Sequence, residues 1–309
     1  MSSTISSFGR LAIGTAGSAV TARLDHQSFA TGTEEQFVDA SGNTGRLTRF
    51  INRQRLTKIV VAPALSLKPT SAELALVLPW LLGGTPTVAT TTTTYPLGNT
   101  VPTRRLQYDD GNSAGNAKVH TYDPIAVSNV TFSSSDSSGT LGVNLQLIGT
   151  TAVQNIAFPA SGVTLIDDAT QPFTHADSAG AVTVNGVVTL CQSVSISVDN
   201  GILTDRFFNS LTLVGFVKHD RNIRVSLTYP IGQAPDLYDA SGFGVPVIVA
   251  YTNGTTVLTF TFPRVQFPKT PIDVPYRNEL VHGLNGTAYG LNVSGTITEA
   301  MITALTIVP

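Results

Sequence analysis

The five histidines are the first candidates for chemistry, because imidazole nitrogens bind metals and carry protons. They lie far apart in the chain, at His26, His120, His175, His219 and His282. None belongs to an HExxH motif or to a pair spaced by two or four residues, the spacings that put two side chains on one face of a strand or helix. The spacing therefore predicts no local metal site, and only a site assembled from distant strands stays open.

Paired acids are the second candidates, because two carboxylates can hydrolyse a glycoside or bind calcium. Asp109–Asp110 and Asp167–Asp168 lie in the segments YDDGN and IDDAT, which have the composition of turns. The chain contains no GxSxG elbow, P-loop or dinucleotide fingerprint. We therefore expect no enzyme and no cofactor. A glycan hydrolase built on a β-sandwich is the enzymatic alternative, and the absence of a clustered acid pair counts against it.

A group of basic residues stands out in the segment RLTRFINRQRLTK, which contains no acid. Its members are Arg46, Arg49, Arg53, Arg55 and Lys58. One reading is a nucleic-acid patch, but single-strand binders interleave aromatic residues and this cluster has only Phe50. We favour the other reading, in which the cluster pairs with acids such as Glu34, Glu35 and Asp39 or with a neighbouring subunit.

Overall composition points to a strand-rich chain with a neutral surface. Only 12% of the 309 residues are charged and the net charge is −2, so no basic field marks a nucleic-acid binder. The single cysteine, Cys191, lies in an apolar run and is predicted to be a reduced core residue. The first residues do not resemble a signal peptide, and no run of 18 apolar residues predicts a membrane span.

One segment, TSAELALVLPWLLGG at 70–84, predicts a helix. Thr70 or Ser71 can cap its start, and Gly83 and Gly84 can end it. Apolar residues recur at the spacing of one helical face: Leu74, Val77, Leu78 and Leu81. We expect Pro79 to break or kink the helix and Trp80 to anchor the core.

Short strands are predicted through the rest of the chain from alternating apolar residues and turn signals. The ranges are 59–62, 85–95, 125–132, 141–148, 182–190, 193–199, 202–208, 211–217, 222–229, 246–251, 255–262, 288–294 and 302–308. Residues 1–45 are expected to form an extended arm with at most two short strands, and residues 46–309 a single domain. Three connections, 96–124, 159–181 and 231–245, are predicted to be long loop excursions.

An ordered set of segments resembles the major tail tube protein of long, non-contractile bacteriophage tails. PTSAELALVLPWLLGG is similar to that family's helix, and AKVHTYDPIAVSNVTFSSSDSSGTLGVNLQLIGT to its strand pair with a variable hairpin. The later segments follow in the family's order: PFTHADS, VTVNG, VSISVDNGI, RFFNSLT, RNIRVSLTYP, TVLTFTFPRVQFPKTPIDVP and NELVHGLNGTAYG. The resemblance covers roughly residues 45–309 and rests on the set, since no single motif is diagnostic.

The resemblance implies a mainly β, sandwich fold with one packed helix and no catalytic residues. It further implies that six subunits join their sheets into an inner β-barrel and that the rings stack into a hollow tube. Partners would be other copies, the tape measure, terminator and tip proteins of the tail, and genomic DNA that passes without specific binding. The protein would reside in the virion tail after assembly in the host cytoplasm. Because DNA must slide freely, the lumen wall is expected to be neutral-polar or acidic, with the basic cluster facing outward or neutralised.

Two other roles stay open. A tail-tip or capsid decoration protein would share the β-rich composition, and the number of copies along the tail would separate these roles. A lectin-like adhesin would need an aromatic platform, yet aromatic residues make up only 7% of the chain and its one tryptophan lies in the predicted helix.

Overall fold

Strands dominate the computed structural model of this chain, and one α-helix accompanies them. The structure describes residues 9–39, 54–109, 119–135, 137–155, 158, 163–165, 171–175, 182–205, 207, 209–230, 244–268, 281–293 and 296–307. Within these ranges no helix is long and apolar enough to cross a membrane. The fold class is mainly β with one helix, as the sequence predicts.

The elements follow one another along the chain in three groups. Before and including the helix they are β1 (Arg10–Thr15), β2 (Val20–Leu24), β3 (Ser28–Ala30), β4 (Thr33–Asp39), β5 (Gln54–Val61), β6 (Ala64–Leu67) and α1 (Ser71–Leu82). The middle group is β7 (Thr87–Ala89), β8 (Thr92–Tyr95), β9 (Arg104–Asp109), β10 (Val119–Ser135), β11 (Gly142–Gly149), β12 (Ala152–Asn155) and β13 (Thr164–Leu165). The last group is β14 (Val182–Val184), β15 (Val187–Val188), β16 (Ser193–Asp199), β17 (Ile202–Leu203), β18 (Val217–Lys218), β19 (Asn222–Pro230), β20 (Val245–Thr252), β21 (Thr256–Gln266), β22 (Val281–Ala288), β23 (Leu291–Val293), β24 (Thr296–Thr298) and β25 (Ile302–Ile307).

The first sheet is built around the long strand β10. Antiparallel pairing runs in the order β6–β11–β10–β16–β19–β22. The first residues of β10 pair instead with β9 and β12, and β1, β2 and β13 continue the sheet beyond β9. The predicted hairpin between β10 and β11 is therefore confirmed, and β10 is longer than the predicted range 125–132.

The second sheet faces the first across the core. Its order is β7–β8–β25–β21–β20–β14–β15, all antiparallel. The two sheets are linked at two places. The end of β21 pairs with β22, and at the opposite end of the second sheet Thr174 bridges both Thr140 and Thr252. The described strands form a sandwich that does not close into a barrel of paired strands.

The core lies between the two sheets and follows the alternation in their strands. In β16 every second residue is buried, and the same alternation holds in β19, β20 and β21. Phe132 of β10 and Phe260 of β21 meet with ring centroids 4.9 Å apart, and the Tyr251 hydroxyl lies 3.1 Å from the Ser134 hydroxyl. Aromatic packing across the gap therefore fixes the two sheets to each other.

Helix α1 begins and ends as the sequence predicts. Thr70 caps its start in a capping box with Glu73, and Gly83 ends it in the left-handed conformation at φ 78°. Trp80 and the predicted apolar face are buried in the core shared with both sheets. The expected break at Pro79 is wrong, because the helix runs through this residue. Because Pro79 has no N–H, the carbonyl of Ala75 lacks its usual helical hydrogen bond. Ala75 is exposed, so water can hydrate this carbonyl.

Both ends of α1 are tied to other parts of the chain by buried polar groups. At the start, the Glu73 carboxylate accepts hydrogen bonds from the backbone N–H of Thr70 at 2.9 Å and of Asp25 at 2.7 Å. Burial raises the pKa of this carboxyl. At the end, the Asn200 amide donates to the Leu81 carbonyl at 3.1 Å, and Arg221 donates to the Leu82 carbonyl at 3.0 Å. A cation at a helix C-terminus also complements the helix dipole.

The expected extended arm over residues 1–45 is wrong where the structure describes it, because four strands lie between Arg10 and Asp39. Leu11, Ile13 and Leu24 are fully buried in the main core. Burial of this apolar surface offsets the entropy of ordering the segment. The partners of β1 include β9, almost a hundred residues later, and local sequence patterns do not reveal such pairing.

The predicted loops and strands need further corrections. The connection 96–124 contains β9 and the start of β10, and 159–181 contains β13. Within 202–208 and 211–217 only the short pair β17 and β18 forms. The strand predicted at 288–294 is divided between the end of β22 and β23. The loop prediction for 231–245 falls mostly outside the described residues.

We predict that Leu78→Ala lowers the free energy of unfolding by about 2–5 kcal/mol, because this side chain is fully buried and its removal leaves a cavity. The matched control is Leu190→Ala, since Leu190 is 64% exposed and its truncation should change stability by about 0.5 kcal/mol or less. Urea unfolding followed by circular dichroism measures both. Equal stability of the two variants would contradict the assignment of the buried helix face.

Candidate assembly surfaces

Strands β4 and β5 form a two-stranded ribbon at the margin of the sandwich. They pair from Thr33 opposite Val61 to Asp39 opposite Gln54. Strand pairing with the first sheet occurs at the base, where Val61 pairs with Gly149. Nearby, the Ile59 N–H donates to the Leu211 carbonyl of the connection between β17 and β18 at 2.7 Å. Among the described strands, β4 pairs only with β5. Within the described residues, the outer edge of β4 is therefore unpaired and lies outside the core.

Apolar side chains on the ribbon face solvent. Phe37 is 58% exposed and Val38 is 53% exposed. They are adjacent in the strand, and a register irregularity lies just before Phe37. A two-stranded ribbon is only marginally stable in water without a core or a partner. Exposed apolar residues beside a free strand edge are the usual mark of a surface that another chain covers.

The ribbon carries part of the basic cluster. Arg55 and Lys58 lie in β5, directly beside the strand that holds Glu34 and Glu35. The ammonium of Lys58 lies 4.2 Å from the ring centroid of Phe207, a cation–π contact. Across the two strands Lys58 lies opposite Gln36 and Arg55 opposite Val38, so neither base directly faces Glu34 or Glu35. The neutralised reading of the cluster stays a prediction. Arg46, Arg49 and Arg53 belong to the connection between the two strands and lie outside the described residues.

A shallow apolar cleft of about 190 Å³ lies at the base of the ribbon. Val60, Leu147, Phe207 and Leu213 contribute to its lining, and Lys58 is the one titratable group among the described residues that line it. The hydroxyls of Ser128 and Thr204 also line the cleft. With its largely aliphatic lining, the cleft can accept an apolar side chain.

The outer face of the first sheet is covered by small hydroxyl and amide side chains, and we name it the hydroxyl face. Its residues alternate with the buried ones on neighbouring strands and share cross-strand registers. They are Asn129, Thr131, Ser133, Ser135, Asn144, Gln146, Ser193, Ser195, Ser197, Asp199, Asn222, Arg224, Ser226, Thr228, Asn285 and Thr287. Its one base and one acid cancel, so the face has no net charge.

The outer face of the second sheet is also uncharged but more apolar, and we name it the aliphatic–threonine face. Its residues lie opposite one another across β14, β20, β21, β25 and β8. They are Thr92, Thr94, Thr183, Ile248, Ala250, Val257, Thr259, Thr261, Ile302, Ala304 and Thr306. Ile248 is 38% exposed. This composition matches the charge-depleted centre of protein–protein interfaces.

The titratable residues do not converge on a metal site. No group of three or more His, Cys, Asp or Glu residues that could hold a metal occurs in the part of the chain that the structure describes. Asp109, predicted to lie in a turn, instead ends β9, where it is buried and accepts a hydrogen bond from Arg10 Nε at 3.0 Å. The pair at 167–168 lies outside the described residues. Cys191 packs partly buried against the core, and burial raises its pKa to about 12.

Sequence reasoning missed the ribbon because it assigned residues 1–45 to an arm. The run TEEQFVD combines β-branched, aromatic and charged residues, and its charges hid the strand signal. Comparison with known proteins adds no relative: no family model and no curated protein matches this chain.

We predict that Phe37→Ala leaves the free energy of unfolding within about 0.5 kcal/mol of the parent, because the side chain contributes nothing to the core. Phe173→Ala, a matched change at a fully buried residue, should lower it by about 3–5 kcal/mol. Thermal and urea unfolding of the subunit at low concentration compare the two. A large loss for Phe37→Ala would show that the ribbon belongs to the folded core.

Proposed function

We propose that this chain is a structural virion protein that self-assembles into stacked hexameric rings and so forms a phage tail tube. The observation that carries the proposal is the β4–β5 ribbon, which leaves the core with a free edge and exposes Phe37 and Val38. The order of the family-like segments from the helix to the last strands supports the same role. The tube would be the conduit for genome delivery.

Contact between copies of this chain explains how such an exposed ribbon can be stable. Burying the two apolar side chains and pairing the free edge would stabilise an assembly. A contact between the ribbon of one subunit and a different surface of the next is head-to-tail, and such contacts build rings or filaments. The low share of charged residues, 12%, lowers the desolvation cost of packing many copies together.

Other roles gain less support. Trp80, the sole tryptophan, is 1% exposed inside the helix, so it gives a lectin-like adhesin no sugar platform. A tail-tip or capsid decoration protein would present the same ribbon, and the number of copies per particle separates it from a tube protein.

Within the proposal, the chain contacts itself, the tape measure, the terminator and the tip in the virion tail, and DNA passes through the lumen without specific binding.

Sedimentation velocity and negative-stain microscopy test the proposal directly. The purified protein should form rings or tubes as its concentration rises, alone or with the other tail components. The double variant Phe37→Ser, Val38→Ser should stay folded but lose this association. Val214→Ser is the matched control, because Val214 is 68% exposed outside the ribbon. A parent protein that stays monomeric under all these conditions would overturn the proposal.

We predict that Arg49→Glu combined with Arg53→Glu impairs assembly, because the proposal assigns the basic cluster to pairing with acids of its own or a neighbouring subunit. The DNA affinity of the free subunit should not change, since the proposal gives the cluster no role in binding nucleic acid. Sedimentation and a filter-binding assay measure the two effects. Normal assembly together with a large loss of DNA affinity would support the nucleic-acid reading instead.

A further inference from the structure

The outer faces of the two sheets differ in polarity, and therefore in whether contact with water or with protein suits them better. On the hydroxyl face, Ser133, Ser195 and Ser226 lie side by side across three strands. At the corresponding positions of the second sheet, Thr261 lies between the aliphatic residues Ile248 and Ile302. The hydroxyl face thus offers mainly hydrogen-bonding groups, up to Ala126 and Ile148, which the chain's own Ile202 and Leu213 cover. The other face exposes hydrocarbon among its hydroxyls.

We infer that the hydroxyl face lines the lumen and meets double-stranded DNA, while the aliphatic–threonine face is covered by protein in the assembled tube. The inference rests on the proposed tube and identifies the surface along which its DNA cargo passes. It commits the second face to contact with other copies of this chain.

The free-energy cost of removing each face from water determines which face remains hydrated in the tube. Serine, asparagine and glutamine groups buried without matching partners cost free energy, whereas a water-filled lumen leaves them hydrated. For Ile248, Val257 and Ile302 the opposite is true, since aliphatic surface is more stable covered by protein than left in water. A tube in which the hydroxyl face looks inward avoids both costs.

Charge supports the same assignment. Each lysine or arginine that contacts a phosphate adds salt-dependent affinity through counterion release, and a tube repeats that contact many times. The hydroxyl face carries one cation, Arg224, opposite Ser197 on the neighbouring strand. Asp199 lies on that same strand, two residues further along and opposite Asn222. An acid close to the single base lowers the attraction for phosphates, so DNA can move past without being held.

Cysteine labelling with reagents of two sizes tests the inference. Ser195→Cys and Thr259→Cys are each made in a Cys191→Ala background and assembled into tubes that are checked by microscopy. A small maleimide should label Ser195→Cys in tubes, while a maleimide on a long polyethylene glycol chain should not. Thr259→Cys should react with neither reagent in tubes, and both cysteines should react with both reagents in free subunits.

The possible outcomes distinguish the inference from the proposed function. The face assignment would be overturned if Ser195→Cys in tubes reacts with the large reagent. It would also be overturned if Thr259→Cys, and not Ser195→Cys, reacts with the small reagent only. Either result leaves the tube proposal intact. A failure of the parent protein to assemble would overturn both.

A charge variant adds a functional measurement. Tubes of Ser195→Arg, Ser226→Arg should retain added double-stranded DNA at least tenfold more strongly than the parent at low salt, and the excess should disappear as salt rises. The matched pair Thr259→Arg, Thr306→Arg should block tube formation instead, because it buries charge in an interface. DNA retention equal to that of the parent in well-formed Ser195→Arg, Ser226→Arg tubes would contradict the lumen assignment.

Discussion

The packing of helix α1 against the core shared by the two sheets is the constraint on which the rest of this structure depends. The helix enters a core that both sheets share, and its ends are fixed by polar groups from distant parts of the chain: Glu73 holds the backbone of Asp25, and Asn200 and Arg221 hold the last carbonyls. These anchors come from before and after the helix in sequence, so the position of the helix depends on both parts of the chain.

A core that takes up most of the long apolar side chains leaves outer sheet faces with few charges. Alternation through most of β16, β19, β20 and β21 sends large apolar residues inward and mainly polar or aliphatic residues outward. What remains for recognition is shape, free strand edges and the exposed ribbon. Such surfaces suit repeated contact between identical copies better than binding of one charged ligand.

Much of the fold follows from local sequence signals. The helix caps, the alternating strand at 193–199 and the hairpin between β10 and β11 are encoded within a few residues, and all are confirmed. Long-range pairing is not encoded locally, so the joining of β1 to β9 escaped prediction. Of the candidate site, the sequence singles out the basic cluster, which stays a prediction. Phe37 and Val38 can be recognised only from their exposure on the ribbon.

The most direct test of this account is electron cryomicroscopy of the purified protein after assembly at high concentration. The account predicts stacked rings in which each ribbon of residues 33–61 contacts a neighbouring subunit and the hydroxyl face lines a central channel. A reconstruction with the ribbons free in solvent, or particles that never exceed a single subunit, would contradict it.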